Sequence, residues 1–381
     1  MIRATSAGER ERRYASLRSA MHEHGYDALI VSGRGDEFMR GRIQYVSDVF
    51  QWAGWGFVVL PERGTATALA DPLGGFETAP GDAWVGEVRV TPTPGVATAE
   101  LLGDHGVSSG RIGVAGLADI TAAAHVRELE TVLPNATFVD ATDVFDDVRA
   151  VKSEEEIANF EETSSILRAV FTALEAEIRP GVREVDVLAE AHRLCRQYGC
   201  VEGIALLGRP PAAGFGPGSP DSISIDDVIV VDLEWGGPSG YWLELRRCFS
   251  FGPPSDAVRR YWEARVEAFD ACLDAVVVGA SSGDILSARD RVYGRHGLTA
   301  GEDVRYSAHG IGIDSLEPPW VPGKERVLRA GMMLSLHPHV VLDDADAAIY
   351  GGVSVGDNVL VTAQGARRMT YEAEQWVTLD A

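Results

Sequence analysis

The sequence predicts two domains, an α/β domain over residues 1–150 and an α+β domain over residues 151–381. Three observations lead to this prediction. The chain has 381 residues, which is enough for two domains of ordinary size. Short apolar runs alternate with helical segments in the first half, whereas short strands separated by Gly and Pro dominate after about residue 223. Between the halves, Ser153 and Glu156 have the spacing of a capping box, which predicts the start of a long helix.

The composition is that of a globular protein, with 45% hydrophobic and 24% charged residues. The formal net charge is −23, and we find no basic patch, so nucleic acids and anionic membrane surfaces are not expected partners. No apolar run is long enough to cross a bilayer, which together with the lack of a signal-peptide pattern predicts a cytoplasmic protein. The four cysteines show no CxxC spacing, and we expect buried free thiols.

The first domain begins with a predicted helix at 17–24, followed by a strand at 28–32. The remaining predicted strands of this domain are 56–60, 66–70, 87–90 and 111–114. Three aromatic residues, Trp52, Trp55 and Phe57, are predicted to pack in its core. This alternation indicates a small α/β domain.

The second domain begins with the helix at Ser153, which we expect to end at Pro180-Gly181. The other predicted helices are 184–198, 255–278 and 283–296. Because helices and strands are segregated in this half, the pattern favours an α+β fold over a doubly wound sheet.

Four polar side chains lie in apolar or Gly-rich strands of the second half, where burial is costly without a purpose. Asp232 ends the apolar strand VIVVDLEWG, and Glu244 lies in GYWLELRRCFSFG. His309 precedes two glycines in YSAHGIGIDSLEPP, and His337 lies beside Pro338 in GMMLSLHPHVV. Together they predict one cleft that contains all four candidate catalytic side chains.

These segments also carry a family resemblance. VRAVKSEEEIANFEE, IRPGVREVDVLAEA, VVDLEWGGPSGYWLELRRCFSFG, HGIGIDSLEPP, RAGMMLSLHPHVV and YGGVSVGDNVLVT resemble, in this order, landmarks of the creatinase, prolidase and aminopeptidase P family. The resemblance covers about residues 150–373, and the first half is similar to that family's creatinase-like N-terminal domain. It implies a C-terminal pita-bread catalytic domain, a homodimer and a small-molecule substrate.

The metallopeptidases of this family hold two metal ions with two Asp, one His and two Glu. Asp232 matches the first Asp, and Glu244 matches the second if the GGPSG turn carries one extra residue. His309 matches the His ligand. His337 stands at the first Glu position and Gly356 at the last, so the bridging carboxylate is absent.

Two further positions depart from the family pattern. Leu316 replaces the second catalytic His, although Glu317 beside it is retained, and Phe215 falls where a substrate-contacting His is usual. A standard dinuclear Xaa-Pro peptidase is therefore not expected.

The leading hypothesis is a creatinase-like hydrolase that acts on a carbon-nitrogen bond of a small molecule without metal. In it, Glu244 or His309 would be the general base, His337 would polarise or protonate the substrate, and Asp232 would orient an imidazole.

Two alternatives remain open. Glu244, His309 and His337 form a two-His, one-carboxylate set that suits one divalent ion of iron, manganese or zinc, and iron would permit oxidative chemistry. The chain could instead be a non-catalytic binding module that retains the fold. The expected metal content is therefore none or one ion per chain.

Overall fold

The computed structural model describes residues 2–74, 76–78, 84–301, 307–320, 325–374 and 376–380. The chain divides into two compact units, Met1–Arg149 and Ala150–Ala381. Among the described residues, no helix is both long enough and apolar enough to span a membrane.

The first unit is built on one mixed sheet with helices. Its helices are α1 (Ala7–His24), α2 (Gly41–Ser47), α3 (Pro94–Asp104), α4 (Ala123–Val132) and α5 (Thr142–Ala150). Its strands are β1 (Ala28–Arg34), β2 (Val49–Gln51), β3 (Trp55–Pro61), β4 (Thr67–Ala70), β5 (Phe76–Thr78), β6 (Glu87–Val90), β7 (Arg111–Ala115) and β8 (Thr137–Asp140).

Six of these strands form a sheet in the order β6-β4-β3-β1-β7-β8. Strand β1 lies at its centre, antiparallel to β3 and parallel to β7. Its apolar run is buried throughout, and α2 packs against it. The predicted helix at 17–24 was too short, since the helix starts at Ala7 behind a Ser6 cap whose hydroxyl accepts from the Glu9 amide.

One of the three aromatic residues predicted for this core lies outside it. Phe57 is 2% exposed, but Trp52 is 52% exposed. Trp52 follows the short strand β2 and precedes Gly54, whose φ of 72° belongs to a turn. The prediction was wrong for Trp52 because a turn places it at the surface.

The second unit contains five helices and eight strands among the described residues. The helices are α6 (Glu154–Leu174), α7 (Glu184–Gln197), α8 (Asp256–Ala275), α9 (Ser282–His296) and α10 (Asp344–Tyr350). The strands are β9 (Glu202–Gly208), β10 (Val228–Gly236), β11 (Trp242–Phe251), β12 (Ala308–Gly310), β13 (Met333–Leu336), β14 (Asp357–Thr362), β15 (Gly365–Arg368) and β16 (Trp376–Leu379).

These strands form two four-stranded sheets, each packed against a pair of helices. The sheet β16-β11-β10-β9 lies against α6 and α7, where Phe171 stacks on Phe249 with ring centroids 6.3 Å apart. The sheet β12-β13-β14-β15 lies against α8 and α9, with Phe269 and Leu334 in its buried core. The arrangement has the α+β character that the sequence predicts.

Helix α6 begins at the predicted capping box. The Ser153 hydroxyl accepts from the Glu156 amide at 3.1 Å, and the Glu156 carboxylate accepts from the Ser153 amide at 2.9 Å. The helix ends at Leu174 rather than at Pro180-Gly181. Turns follow, and Ile178 remains buried in them, so the apolar spacing continues past the end of the helix.

Candidate active site

Strands β10 and β11 place four charged side chains on one face of their sheet. Asp232 lies opposite Arg246 in the antiparallel register, and Glu234 lies opposite Glu244. Directly opposed residues share a face, and so do residues two apart in one strand. The alternation of the two strands therefore gathers three carboxylates and one guanidinium.

Asp232 lies in the middle of β10, not at its end as the sequence predicted. Its Oδ2 atom accepts from Arg246 Nε at 2.8 Å, so its partner is a guanidinium rather than an imidazole. The sequence predicted that Asp232 orients an imidazole, and the structure pairs it with the Arg246 guanidinium instead. Burial raises the pKa of the Asp232 carboxyl to about 7, the Glu244 charge adds to this, and Arg246 opposes it.

Arg246 is the main residue that sequence reasoning missed. Its guanidinium donates to Asp232 and also to Glu244 Oε1, and the side chain is 12% exposed. The ring of Phe215 lies 4.8 Å from the guanidinium carbon. A charged residue two positions after Glu244 in a buried strand was the available signal, because both must face the same way.

Glu244 is held from several sides. Its Oε2 atom accepts from Ser335 Oγ at 2.8 Å, and its backbone carbonyl accepts from the Asn358 side chain at 2.6 Å. Burial disfavours the charged form, but Arg246 and the imidazoles of His337 and His309 hold the pKa of Glu244 well below its usual range. Glu244 is therefore a fixed carboxylate.

The second sheet supplies the two imidazoles. His309 lies in β12, and the structure places His337 one residue beyond the end of β13. Pro338 follows His337, and the His337 amide donates to the Ser307 carbonyl at 2.8 Å. The rings of His309 and His337 have centroids 5.2 Å apart.

Glu244, His309 and His337 converge. Glu244 Oε2 lies 3.3 Å from His309 Nε2 and 3.5 Å from His337 Nε2. One ligand atom from each residue lies within 4.8 Å of the others, and all three residues are buried. The structure thus brings together the three residues that the sequence proposed as one metal-ligand set, with Asp232 beside them through Arg246.

The donor atoms fit a single metal ion. His309 Nδ1 lies 2.9 Å from the Gly310 carbonyl, which can only accept, so Nδ1 carries the proton. In the neutral ring Nε2 then presents its lone pair towards the Glu244 carboxylate. Tetrahedral ligands about 2.0–2.2 Å from a metal are about 3.3–3.6 Å apart, which matches both separations from Glu244.

His339 does not join this set. Burial lowers its pKa, as do the charges of Arg265, Arg246 and Arg289, so its imidazole is held neutral. Its Nδ1 atom packs so close to Gly301 that a Cβ there would lie 2.3 Å from it. In a continuous strand, His339 would face the same way as His337, two residues before it, but β13 ends at Leu336.

The retained Glu317 has a structural partner. Its Oε2 atom accepts from Lys152 Nζ at 2.7 Å, and Oε1 accepts from the amides of Ile313 and Asp314 at 2.8 and 3.1 Å. Glu317 therefore shapes the loop that follows His309.

Glu234 is a further carboxyl that sequence reasoning missed. It lies with Asp232 and Glu244 in a second group whose ligand atoms are within 4.8 Å of one another. Its Oε2 atom accepts from Ser315 Oγ at 3.1 Å. Burial, with the charges of Glu244 and Asp232, raises the pKa of Glu234 well above its usual range.

All four cysteines are free and buried, as predicted. Cys248 lies in β11, where its Sγ donates to the Ser354 carbonyl at 3.1 Å, and burial raises its pKa to about 12. Tyr241 and Trp242 are also buried, each 1% exposed.

A buried Glu-His-His set between two helix-backed sheets defines an enzyme scaffold of the creatinase, prolidase and aminopeptidase P class. The profile of metallopeptidase family M24 matches residues 158–363, and that of the Creatinase/Prolidase N-terminal domain matches residues 13–151. The chain belongs to metallopeptidase family M24. The predicted family, the fold class and the prediction of an enzyme are thereby confirmed.

Individual relatives agree with this placement. The chain is 29% identical over 240 residues to an Xaa-Pro dipeptidase of Pyrococcus furiosus, and the match covers 61% of this chain and 66% of that one. The chain thus spans about two thirds of that relative. The structure resembles dipeptidase PepE from Mycobacterium ulcerans with a TM-score of 0.78, 24% identity and full coverage of both chains. It also resembles an X-Pro aminopeptidase from Thermotoga maritima with a TM-score of 0.79, 20% identity, and 96% and 99% coverage.

Proposed function

We propose that the protein hydrolyses a carbon-nitrogen bond of a small molecule at a site that binds one divalent metal ion through Glu244, His309 and His337. Family membership supports the hydrolase class. The observation that carries the single-ion site is the convergence of the two Nε2 atoms on Glu244 Oε2, at 3.3 and 3.5 Å. Gly356 offers no side-chain ligand, which argues against the paired site of the Xaa-Pro peptidases.

The metal-free alternative fits the same residues less well. His309 would then need protons on both nitrogens, because each faces an acceptor, Gly310 O and Glu244 Oε2. A charge-assisted hydrogen bond is usually about 2.7–2.9 Å long. The separations from Glu244 exceed that range and agree with ligands around one ion.

A bound divalent ion would polarise the scissile group and lower the pKa of a bound water. The residues of the chain do the rest. Glu244 is held in place by Ser335 and Asn358, and the His309 ring is fixed by its bond to Gly310. Glu234 has a carboxyl oxygen within 4.8 Å of one of Glu244, and its raised pKa favours the protonated form, so it is the carboxyl suited to donate a proton to the leaving nitrogen.

Metal analysis of protein purified without chelator tests the proposal. We expect about one ion per chain in the wild type and none in H337A, because two ligands hold a divalent ion poorly. The matched control is H339A, which removes a nearby histidine outside the set and should retain the ion. Two ions per chain with cleavage of Xaa-Pro dipeptides would overturn the proposal.

A screen for released amine or ammonia then defines the reaction. The metal-loaded wild type should hydrolyse a subset of small amides, amidines or dipeptides, and E244Q should lose at least about 100-fold in rate because a fixed carboxylate is removed. No release by the loaded wild type from any compound, with the ion bound, would favour a binding module.

The homodimer and the cytoplasmic location stay predictions that follow from the family resemblance and the sequence. One chain has a mass of 40.9 kDa. Size-exclusion chromatography coupled to light scattering should give twice that mass. A monomer at micromolar concentration would contradict the dimer.

A further inference from the structure

We propose that the Arg246 guanidinium is a built-in cation that fills a second cation site beside the Glu244–His309–His337 set, and that Gly356 is the residue that makes room for it. This deepens the proposed function, on which it rests for the neighbouring single-ion site.

The site that Arg246 fills is the acidic cluster of Asp232, Glu234 and Glu244. One oxygen from each of these side chains lies within 4.8 Å of the others, a spacing that could hold a metal ion. Arg246 donates to Asp232 and to Glu244, and lies within the field of Glu234. Without a cation, three carboxyl groups at this spacing in a buried place could not all ionise, because the charged forms would repel one another strongly.

A second observation shows that the cluster retains capacity for a ligand. Asp232 is 1% exposed, and its Oδ1 atom has no hydrogen-bond partner among the residues the structure describes. An ionised carboxylate has room for several donors or a metal on its two oxygens. Arg246 uses only Oδ2, so Oδ1 is a buried oxygen that a metal ion could use once the guanidinium is removed.

Glu244 joins the two cation sites. Its Oε1 atom accepts from Arg246, while Oε2 faces the two imidazoles. One carboxylate thus spans a guanidinium on one side and the proposed metal on the other.

Gly356 accounts for how the guanidinium fits. A Cβ at this position would lie 3.0 Å from His337 Cβ and 3.1 Å from Arg246 Cδ. Carbon atoms pack at about 3.5–4.0 Å, so any side chain there would press on both residues. Arg246 in its observed position therefore crowds any carboxylate side chain at position 356.

The experiment compares the metal content of four full-length proteins, dialysed against Mn²⁺ and desalted. Mn²⁺ is the probe because carboxylate oxygens suit it. R246T opens the acidic cluster, and R246T/G356E adds the missing carboxylate. R246K is the matched control, because it keeps a positive charge in the cluster.

We expect R246K to bind as many Mn²⁺ ions per chain as the wild type. At least one of R246T and R246T/G356E should bind about one more ion per chain than the wild type. The gain is measured relative to the wild type. A wild type without metal would therefore refute the proposed function while leaving this inference testable.

Thermal unfolding gives an independent readout. G356E should lower the Tm more in the wild-type background than in R246T, because R246T removes the contact with Arg246 Cδ and leaves only the contact with His337 Cβ. Mn²⁺ should raise the Tm of R246T more than that of R246K. The inference is overturned if neither threonine variant gains an ion over R246K, or if neither can be recovered as folded protein with Mn²⁺.

Discussion

The buried ion pair Lys152–Glu317 connects the start of the second unit to the loop that follows His309. The variant K152M tests how much this pair contributes to the stability of the protein. Lys152 Nζ lies 2.7 Å from Glu317 Oε2, and both side chains are 2% exposed. Removing one partner of such a pair leaves the other charge buried without its counter-ion, which costs about 3–5 kcal/mol. At about 2–4 °C per kcal/mol for a unit of this size, the Tm of K152M should fall by roughly 6–20 °C.

The assay is urea unfolding followed by tryptophan fluorescence, since Trp320 is buried in the same unit. E317Q is the informative companion. It removes the negative charge but keeps an amide oxygen that can accept from the backbone amides of Ile313 and Asp314.

The double variant K152M/E317Q should therefore lose less stability than K152M alone, because no buried charge is left. A cost below about 1 kcal/mol for K152M, or a double variant equal to the sum of the singles, would refute the reasoning.

Three further predictions concern features away from the metal-ligand set. Burial raises the pKa of Glu374 to about 8, so a folded state that favours the protonated acid should lose a few kcal/mol of stability as pH rises from 5 to 8. In urea unfolding at pH 5 and at pH 8, E374Q should lose less stability between the two pH values than the wild type does. An equal loss in E374Q would contradict the assignment. S153A should destabilise the protein by about 1 kcal/mol through loss of the cap on α6, while S153T should not, and equal stabilities would argue against the capping box. Cys248, with a pKa raised to about 12, and the other buried thiols should resist a thiol reagent in native protein but react fully in denaturant. Rapid labelling of Cys248 in native protein would contradict its burial.

Local patterns predicted most of the secondary structure. The strand at 87–90 was predicted with its observed limits, and α7 within one residue at its end, because the alternation of a strand and the apolar spacing of a helix are encoded in nearby residues. The end of α6 was predicted too late, since Ile178 continues the apolar spacing although the chain has already left the helix.

Partners across the fold were harder to predict. Glu244, His309 and His337 could be selected because each is a polar residue in an apolar or Gly-rich segment. That Asp232 pairs with Arg246 depends on the register of β10 and β11, and that Glu317 pairs with Lys152 depends on residues 165 positions apart. Neither pairing can be predicted from the spacing of residues in the sequence alone.

The crowding around Gly356 also constrains the order in which this site can have arisen. If an ancestor carried the full ligand set that the family resemblance implies, a carboxylate stood at position 356, where a Cβ now would lie 3.1 Å from Arg246 Cδ. An arginine arriving first at position 246 would have been crowded by that side chain, so the crowding favours a path in which glycine came first or together with it. Once the arginine is buried between its carboxylates, reverting position 356 alone is obstructed. The pair thus sets an order for reversal: a carboxylate can return to position 356 without this crowding only after Arg246 has been replaced, or together with its replacement.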